Sequence, residues 1–121
     1  MDWSNQPDPF RRFEGCERIL LPLLEEDDSP VYESIYDLDS GSPKPVDFSS
    51  IGQLFELGLA LSAWKEYQGS RWALRINPSS GNLHPTEGYL ILGPVHDKGL
   101  PPAPEEQSAV YHYCPVDHSL E

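Results

Sequence analysis

The chain has 121 residues, 38% of them hydrophobic, and a formal net charge of −12. That length suits one small domain with a modest core, and so much negative charge repels phosphates, which argues against nucleic acids and anionic membranes as partners. No stretch approaches the roughly 20 apolar residues that cross a bilayer, and Met1-Asp2-Trp3-Ser4 lacks the basic start and apolar core of a signal peptide.

Residues 1–47 read as an extended acidic, proline-rich leader, with short apolar runs at Ile19-Leu20-Leu21 and Leu23-Leu24. Glu25-Glu26-Asp27-Asp28-Ser29-Pro30 is a solvated acidic linker, and Ser40-Gly41-Ser42-Pro43-Lys44-Pro45 is a second breaker cluster. This third is expected to drape, loosely ordered, over a larger body. Cys16 and Cys114 lie far apart and form no Cys-x-x-Cys pair, a usage that suits a reducing cytoplasm.

Residues 48–121 are expected to carry the folded part. Ser50 and Gln53 make a capping-box pattern. After it, Ile51, Leu54, Leu57, Leu61 and Trp64 recur at three- and four-residue spacing. This predicts one helix running past Trp64, with Lys65 in its last turn and Gly69 ending it. Gly52 and Gly58 weaken such a helix by roughly 1 kcal/mol each relative to Ala, which implies close packing against another element. From Gly88 the pattern turns to β: Tyr89-Leu90-Ile91-Leu92 reads as a strand buried on both faces. Val110-Tyr111-His112-Tyr113 reads as a second strand, placing Val110 and His112 on one face and the tyrosines on the other. The two are expected to pair antiparallel across the proline-rich loop at Gly99–Pro104.

The densest chemistry lies between helix and strand, in Arg75-Ile-Asn-Pro-Ser-Ser-Gly-Asn-Leu-His84-Pro85-Thr86-Glu87. Pro78 fixes the chain on entry and keeps Asn77 out of helical geometry. Gly81 permits close approach of the backbone, and Ser79, Ser80 and Asn82 offer donors and acceptors. By composition alone Pro-Ser-Ser-Gly-Asn is a plain turn.

The flanking pattern adds more. Arg75-x-x-Pro78-Ser79-Ser80-Gly81-Asn82-Leu83-His84-Pro85-x-Glu87-x-Tyr89 is followed by Val110-Tyr111-His112-Tyr113, Pro115 and His118-x-Leu120-Glu121. The two blocks together resemble the azoline-dehydrogenase (SagB/ThcOx-type) branch of the FMN-dependent nitroreductase family. The resemblance covers roughly residues 70–121, and the opening Met1-Asp2-Trp3 through Phe13-Glu14-Gly15 resembles leader sequence of long members.

The resemblance implies an α+β, nitroreductase-like fold of which only the N-terminal part is present, so a fragment is expected. It implies FMN as cofactor, with Pro78, Ser79, Ser80 and Asn82 at the flavin-contacting positions and His84 and Pro85 shaping the wall. Arg71 and Arg75 are the cationic candidates for the phosphate. The family's Arg-x-Ser-x-Arg phosphate run has no counterpart: the corresponding stretch, Tyr32-Glu33-Ser34-Ile35-Tyr36, lacks the arginines. The implied reaction is hydride transfer through the flavin, with catalytic residues outside this chain and the chain alone inactive. Implied partners are a homodimer mate or a second nitroreductase-like half, and a small-molecule or peptide substrate. Two alternatives stand beside this: a degenerate half-domain without flavin, and an acidic interaction module that binds a peptide or dimerises. His112, Cys114 and His118 are zinc-ligand types, but His-x-Cys-x-x-x-His lacks a fourth ligand and tight pairing, so no metal site is expected.

Overall fold

The computed structural model describes residues 5, 7–25, 30–37, 43–93 and 108–121. The Met1-Asp2-Trp3 opening, the centre of the acidic linker, Ser40-Gly41-Ser42 and the Gly99–Pro104 loop lie outside the described residues.

Among the described residues, four antiparallel strand pairings accompany one α-helix, α1 (Phe48–Leu59). Its start is set by Asp47, whose carboxylate accepts the Ser50 N–H at 2.7 Å while the Ser50 hydroxyl receives the Asp47 N–H at 3.0 Å. This is a reciprocal capping box, placed three residues earlier than the Ser50–Gln53 pattern predicts. Ile51 and Phe55 form the buried face.

The helix also ends earlier than its spacing predicts. Ala60 is extended, and Leu61–Tyr67 form a strand, β2, that pairs antiparallel with β3 (Ser70–Arg75). Gln68 and Gly69 take φ of +49° and +80°. Two positive φ values in a two-residue loop give the primed turn whose twist suits a hairpin. Gly69 therefore closes a hairpin, and Trp64 and Lys65 are strand residues. The three- and four-residue recurrence simply continues by chance into β2.

The strands of the main sheet are β1 (Ile19–Leu20), β4 (Gly88–Leu92), β5 (Ala109–Cys114) and β6 (Ser119–Leu120). Their order is β1-β6-β5-β4, every neighbour antiparallel. The expected pairing of 89–92 with 110–113 is seen, with Tyr89 opposite His112 and Ile91 opposite Val110. The expectation that 89–92 is buried on both faces is not met: Ile91 is 74% exposed, and the strand alternates. Helix α1 covers only one face of this sheet.

On that face Leu21, Ile51, Phe55, Tyr111, Tyr113 and Leu120 make the core. Phe55 stacks on Tyr113 with ring centroids 4.4 Å apart. Leu21 brings the leader into this core, and Leu21 N–H bonds the His118 carbonyl at 2.9 Å. The described leader is thus part of the sheet as well as a cover. Two glycines explain the close fit. A side chain at Gly52 would meet the Pro22 carbonyl at 2.6 Å, and one at Gly88 would meet Leu59 at 2.7 Å. Gly58, by contrast, faces open space. No helix among the described residues is long and apolar enough to cross a membrane.

Candidate functional site

The turn after β3 is built from left-handed backbone. Gly81, Asn82 and His84 have φ of +67°, +58° and +46°. Such a conformation at Asn82 and His84 costs of order 1–3 kcal/mol and persists only where the surroundings enforce it. The sequence supplies the enforcement: Asn82 N–H bonds the Ser79 carbonyl at 3.1 Å, and His84 N–H bonds Ser79 Oγ at 3.0 Å. His84 Nε2 lies 2.7 Å from Asn82 Oδ1 and 3.3 Å from the Ala73 carbonyl. Both partners are acceptors, so in a neutral ring Nε2 carries the proton and Nδ1 is bare.

That Nδ1 is buried with no hydrogen-bond partner, and so are Asn77 Oδ1 and Arg75 Nε. Among the described residues, three of the four buried side-chain polar atoms without a partner flank this one turn. An unmet buried donor or acceptor costs about 1–3 kcal/mol. Asn77 and His84 call for donors, and Arg75 Nε calls for an acceptor.

The structure places the six sequence-predicted residues unevenly. Pro78, Ser79, Ser80 and Asn82 sit together in the turn, and Ser80 is exposed at its tip. Arg75 is buried at the base. Its guanidinium donates to the Thr86 carbonyl at 3.2 Å and to the Pro9 carbonyl, and lies 5.2 Å from the Phe10 ring centroid. Burial pulls Arg75 below its ordinary pKa, with the Glu87 charge countering. Arg71 lies four residues back along β3, about 13 Å away at strand spacing. There it stacks on Trp64 at 4.3 Å, beside the hairpin loop rather than the turn. The face thus reads Arg71, Trp64, Phe10, Arg75, with Trp64 and Phe10 centroids 6.0 Å apart.

A second polar cluster occupies the face of the main sheet opposite α1. His112 Nε2 is 2.8 Å from Glu87 Oε2, and His112 Nδ1 is 3.0 Å from Glu121 Oε1. The leader covers it: Phe13 N–H donates to Glu121 Oε1 at 2.7 Å, and the Phe13 ring meets His112 edge-on. Arg12 pairs with Asp117 at 3.1 Å. For Asp117 and Glu121 burial acts upward. It is outweighed by hydrogen bonds from Ser119 and Arg12 in the first case, and chiefly from the Phe13 N–H in the second, so both carboxyls lie below their ordinary values. Burial and the neighbouring Glu121 push the Cys114 thiol up to about 12. Cys114 and Cys16 are both free.

Sequence reasoning grouped His112 and Cys114 with His118, but His118 belongs to the other face. Its ring nitrogens meet Tyr113 Oη at 2.8 Å and the Pro22 carbonyl at 3.2 Å. Glu87 and Glu121 were missed as His112 partners. Only the strand register, which sets Glu121 opposite His112, brings them together. An open groove of about 580 Å³ runs between the end of α1 and residues 115–118, lined by Leu57, Leu61, Ile76 and Val116 among others.

This architecture is similar to part of a solved structure, described as a "putative nitroreductase" from Anabaena variabilis ATCC 29413, with a TM-score of 0.61 and 24% identity. The chain has a nitroreductase-like fold. The likeness covers 98% of this chain and 20% of that one, so the chain spans one fifth of the solved protein's length. No protein-family model matches the chain, and no curated protein matches it.

Proposed function

We propose that this chain is part of an FMN-dependent oxidoreductase of the azoline-dehydrogenase type, and that the 78–82 turn contacts the flavin. The observation that carries the reading is the set of unmet buried atoms at Arg75, Asn77 and His84. Flavin's ring edge and ribityl hydroxyls offer both donors and acceptors, the mixture these atoms lack. The nitroreductase-like fold supports the same reading. FMN, when bound, supplies hydride chemistry. The chain's own residues bind and orient: Pro78, Ser79, Ser80 and Asn82 face the ligand, and His84 with Arg75 stiffens the turn from beneath. Arg75 acts as a clamp between Pro9, Thr86 and Phe10, which leaves the phosphate to groups elsewhere in the intact protein or a second subunit.

The test is flavin binding by protein from the complete reading frame, read as visible absorption and as quenching of added FMN fluorescence. Ser79 and Asn82 also hold the turn, so the informative variant is Ser80→Ala, whose hydroxyl makes no hydrogen bond among the described residues. Bound flavin, weakened in that variant, supports the reading. A folded protein that is colourless and takes up no FMN sinks it. Two observations favour that second outcome, a half-domain that keeps the fold without the cofactor: the Tyr32–Tyr36 stretch carries no arginine, and Arg75 is already engaged.

A further inference from the structure

We propose that His112, Cys114 and Glu121 form a zinc site, with His112 Nδ1, Cys114 Sγ and the Glu121 carboxylate as ligands. The proposal is independent of the flavin reading.

Strand geometry assembles the three. His112 and Cys114 are two residues apart on β5 and so share a face. Glu121 lies directly opposite His112, since the two residues exchange both backbone hydrogen bonds, at 2.8 and 2.9 Å. Their ligand atoms all lie within 4.8 Å of one another. Zinc bonds of about 2.0–2.3 Å at tetrahedral angles require ligand atoms about 3.3–3.8 Å apart. His112 Nδ1 is 3.8 Å from Cys114 Sγ and 3.0 Å from Glu121 Oε1. The third separation, Cys114 Sγ to the Glu121 carboxylate, is at most 4.8 Å, so closing on the ion takes up to about 1 Å of side-chain movement.

Two further observations point to a ligand. Glu121 has a side chain with 0% exposure, and its Oε2 accepts no hydrogen bond, its nearest cation being Arg18 Nε at 4.0 Å. Glu87 holds the far nitrogen of His112 at 2.8 Å. A carboxylate on the second ring nitrogen fixes the tautomer that presents the first to a metal, and is the usual outer partner of a zinc-bound histidine. Sulfur, nitrogen and one carboxylate together suit zinc better than magnesium or calcium. Three protein ligands leave the fourth position to water.

The experiment titrates the chelator-treated protein with Co²⁺ as a spectroscopic stand-in, then with Zn²⁺ in competition. One cobalt should bind per chain with a thiolate-to-metal charge-transfer band, displaced by zinc. Cys114→Ser should abolish the band while Cys16→Ser keeps it, with far-ultraviolet circular dichroism confirming that both variants fold. Glu87→Gln should weaken binding about 10–100-fold. No band, a band that survives Cys114→Ser, or one lost with Cys16→Ser overturns the site. An unchanged affinity in Glu87→Gln overturns the outer-shell role of Glu87.

Discussion

The helix-backed sheet and the β2–β3 hairpin differ in how completely they satisfy themselves. On the α1 face of the sheet, Phe55, Tyr111, Tyr113 and Leu120 are buried against one another, and the polar groups Tyr113 and His118 are bonded, Tyr113 to His118 and His118 to Pro22. The hairpin has a β2 that is exposed from Ser62 to Tyr67. It docks through Arg75, Phe10 and the Ile76 N–H bond to Ala60. A two-stranded ribbon is marginal by itself. The unmet atoms of Arg75, Asn77 and His84 lie at this weaker half. Three of the four unmet buried atoms among the described residues thus lie beside the more exposed half, where a ligand has more order to add, and the fourth, Glu121 Oε2, lies on the far face of the sheet.

The sharpest way to break that comparison is to truncate one aromatic in each half. Phe55→Ala removes a fully packed ring and should cost about 3–5 kcal/mol. Trp64, 44% exposed, has Arg71 and Phe10 as its aromatic and cationic contacts among the described residues, so Trp64→Ala should cost about 1 kcal/mol. Urea unfolding followed by circular dichroism measures both. Equal losses would show that the hairpin is as integral as the sheet.

Hydrogen exchange tests the same asymmetry without mutation. Amides of β2 and β3 should exchange faster than those of β5. If the turn binds FMN, ligand at 100 times its Kd should stabilise the bound state by about 2.7 kcal/mol, and the added protection should concentrate in residues 70–84. Protection that rises only in β5 would place the ligand elsewhere.

The sheet was more legible in the sequence than the hairpin, for a physical reason. Val110–Tyr113 alternates because one face meets Phe55 and the other meets Phe13. The start of α1 was nearly found, one capping box late, because Asp47 and Ser50 use the same side-chain chemistry as Ser50 and Gln53. Its end was not found. Leu61 and Trp64 fall at helical spacing after Leu57, and nothing local marks Ala60 as extended. The usable signal lay further on, in Tyr67-Gln68-Gly69-Ser70 followed by Arg71-Trp72-Ala73-Leu74, where an aromatic-rich stretch turns back on itself. In the turn, Pro78, Ser79, Ser80 and Asn82 were legible as neighbours. The separation of Arg71 from them followed only once 61–75 was a hairpin. The Glu87–His112–Glu121 contacts needed strand register, which spacing alone does not give.

Acid should loosen the sheet side selectively. Asp117 and Glu121 both lie below their ordinary values of 3.8 and 4.5 in the folded chain. A depressed carboxyl binds protons less readily folded than unfolded. Its stabilising contribution is therefore complete above the ordinary value and is lost as pH falls through the folded one. The unfolding midpoint should drop as pH decreases below 4.5, and Asp117→Asn should flatten part of that fall. The hairpin's docking groups, Arg75, Phe10 and Trp64, do not titrate in this range. A midpoint independent of pH there would mean that the Arg12, Ser119 and Phe13 bonds contribute nothing net.

The smallest expected effect on stability is the most discriminating for function. Ser80 is exposed at the tip of the turn, and its hydroxyl holds no described neighbour. Ser80→Ala should shift stability by no more than about 0.5 kcal/mol. Ser79→Ala removes the acceptor of the His84 N–H and should destabilise the left-handed backbone at His84 by about 1 kcal/mol. If flavin binding falls in both variants while only Ser79→Ala unfolds earlier, the loss at Ser80 is a lost contact. If binding falls only where stability falls, the turn contributes shape and its tip hydroxyl does not touch the ligand.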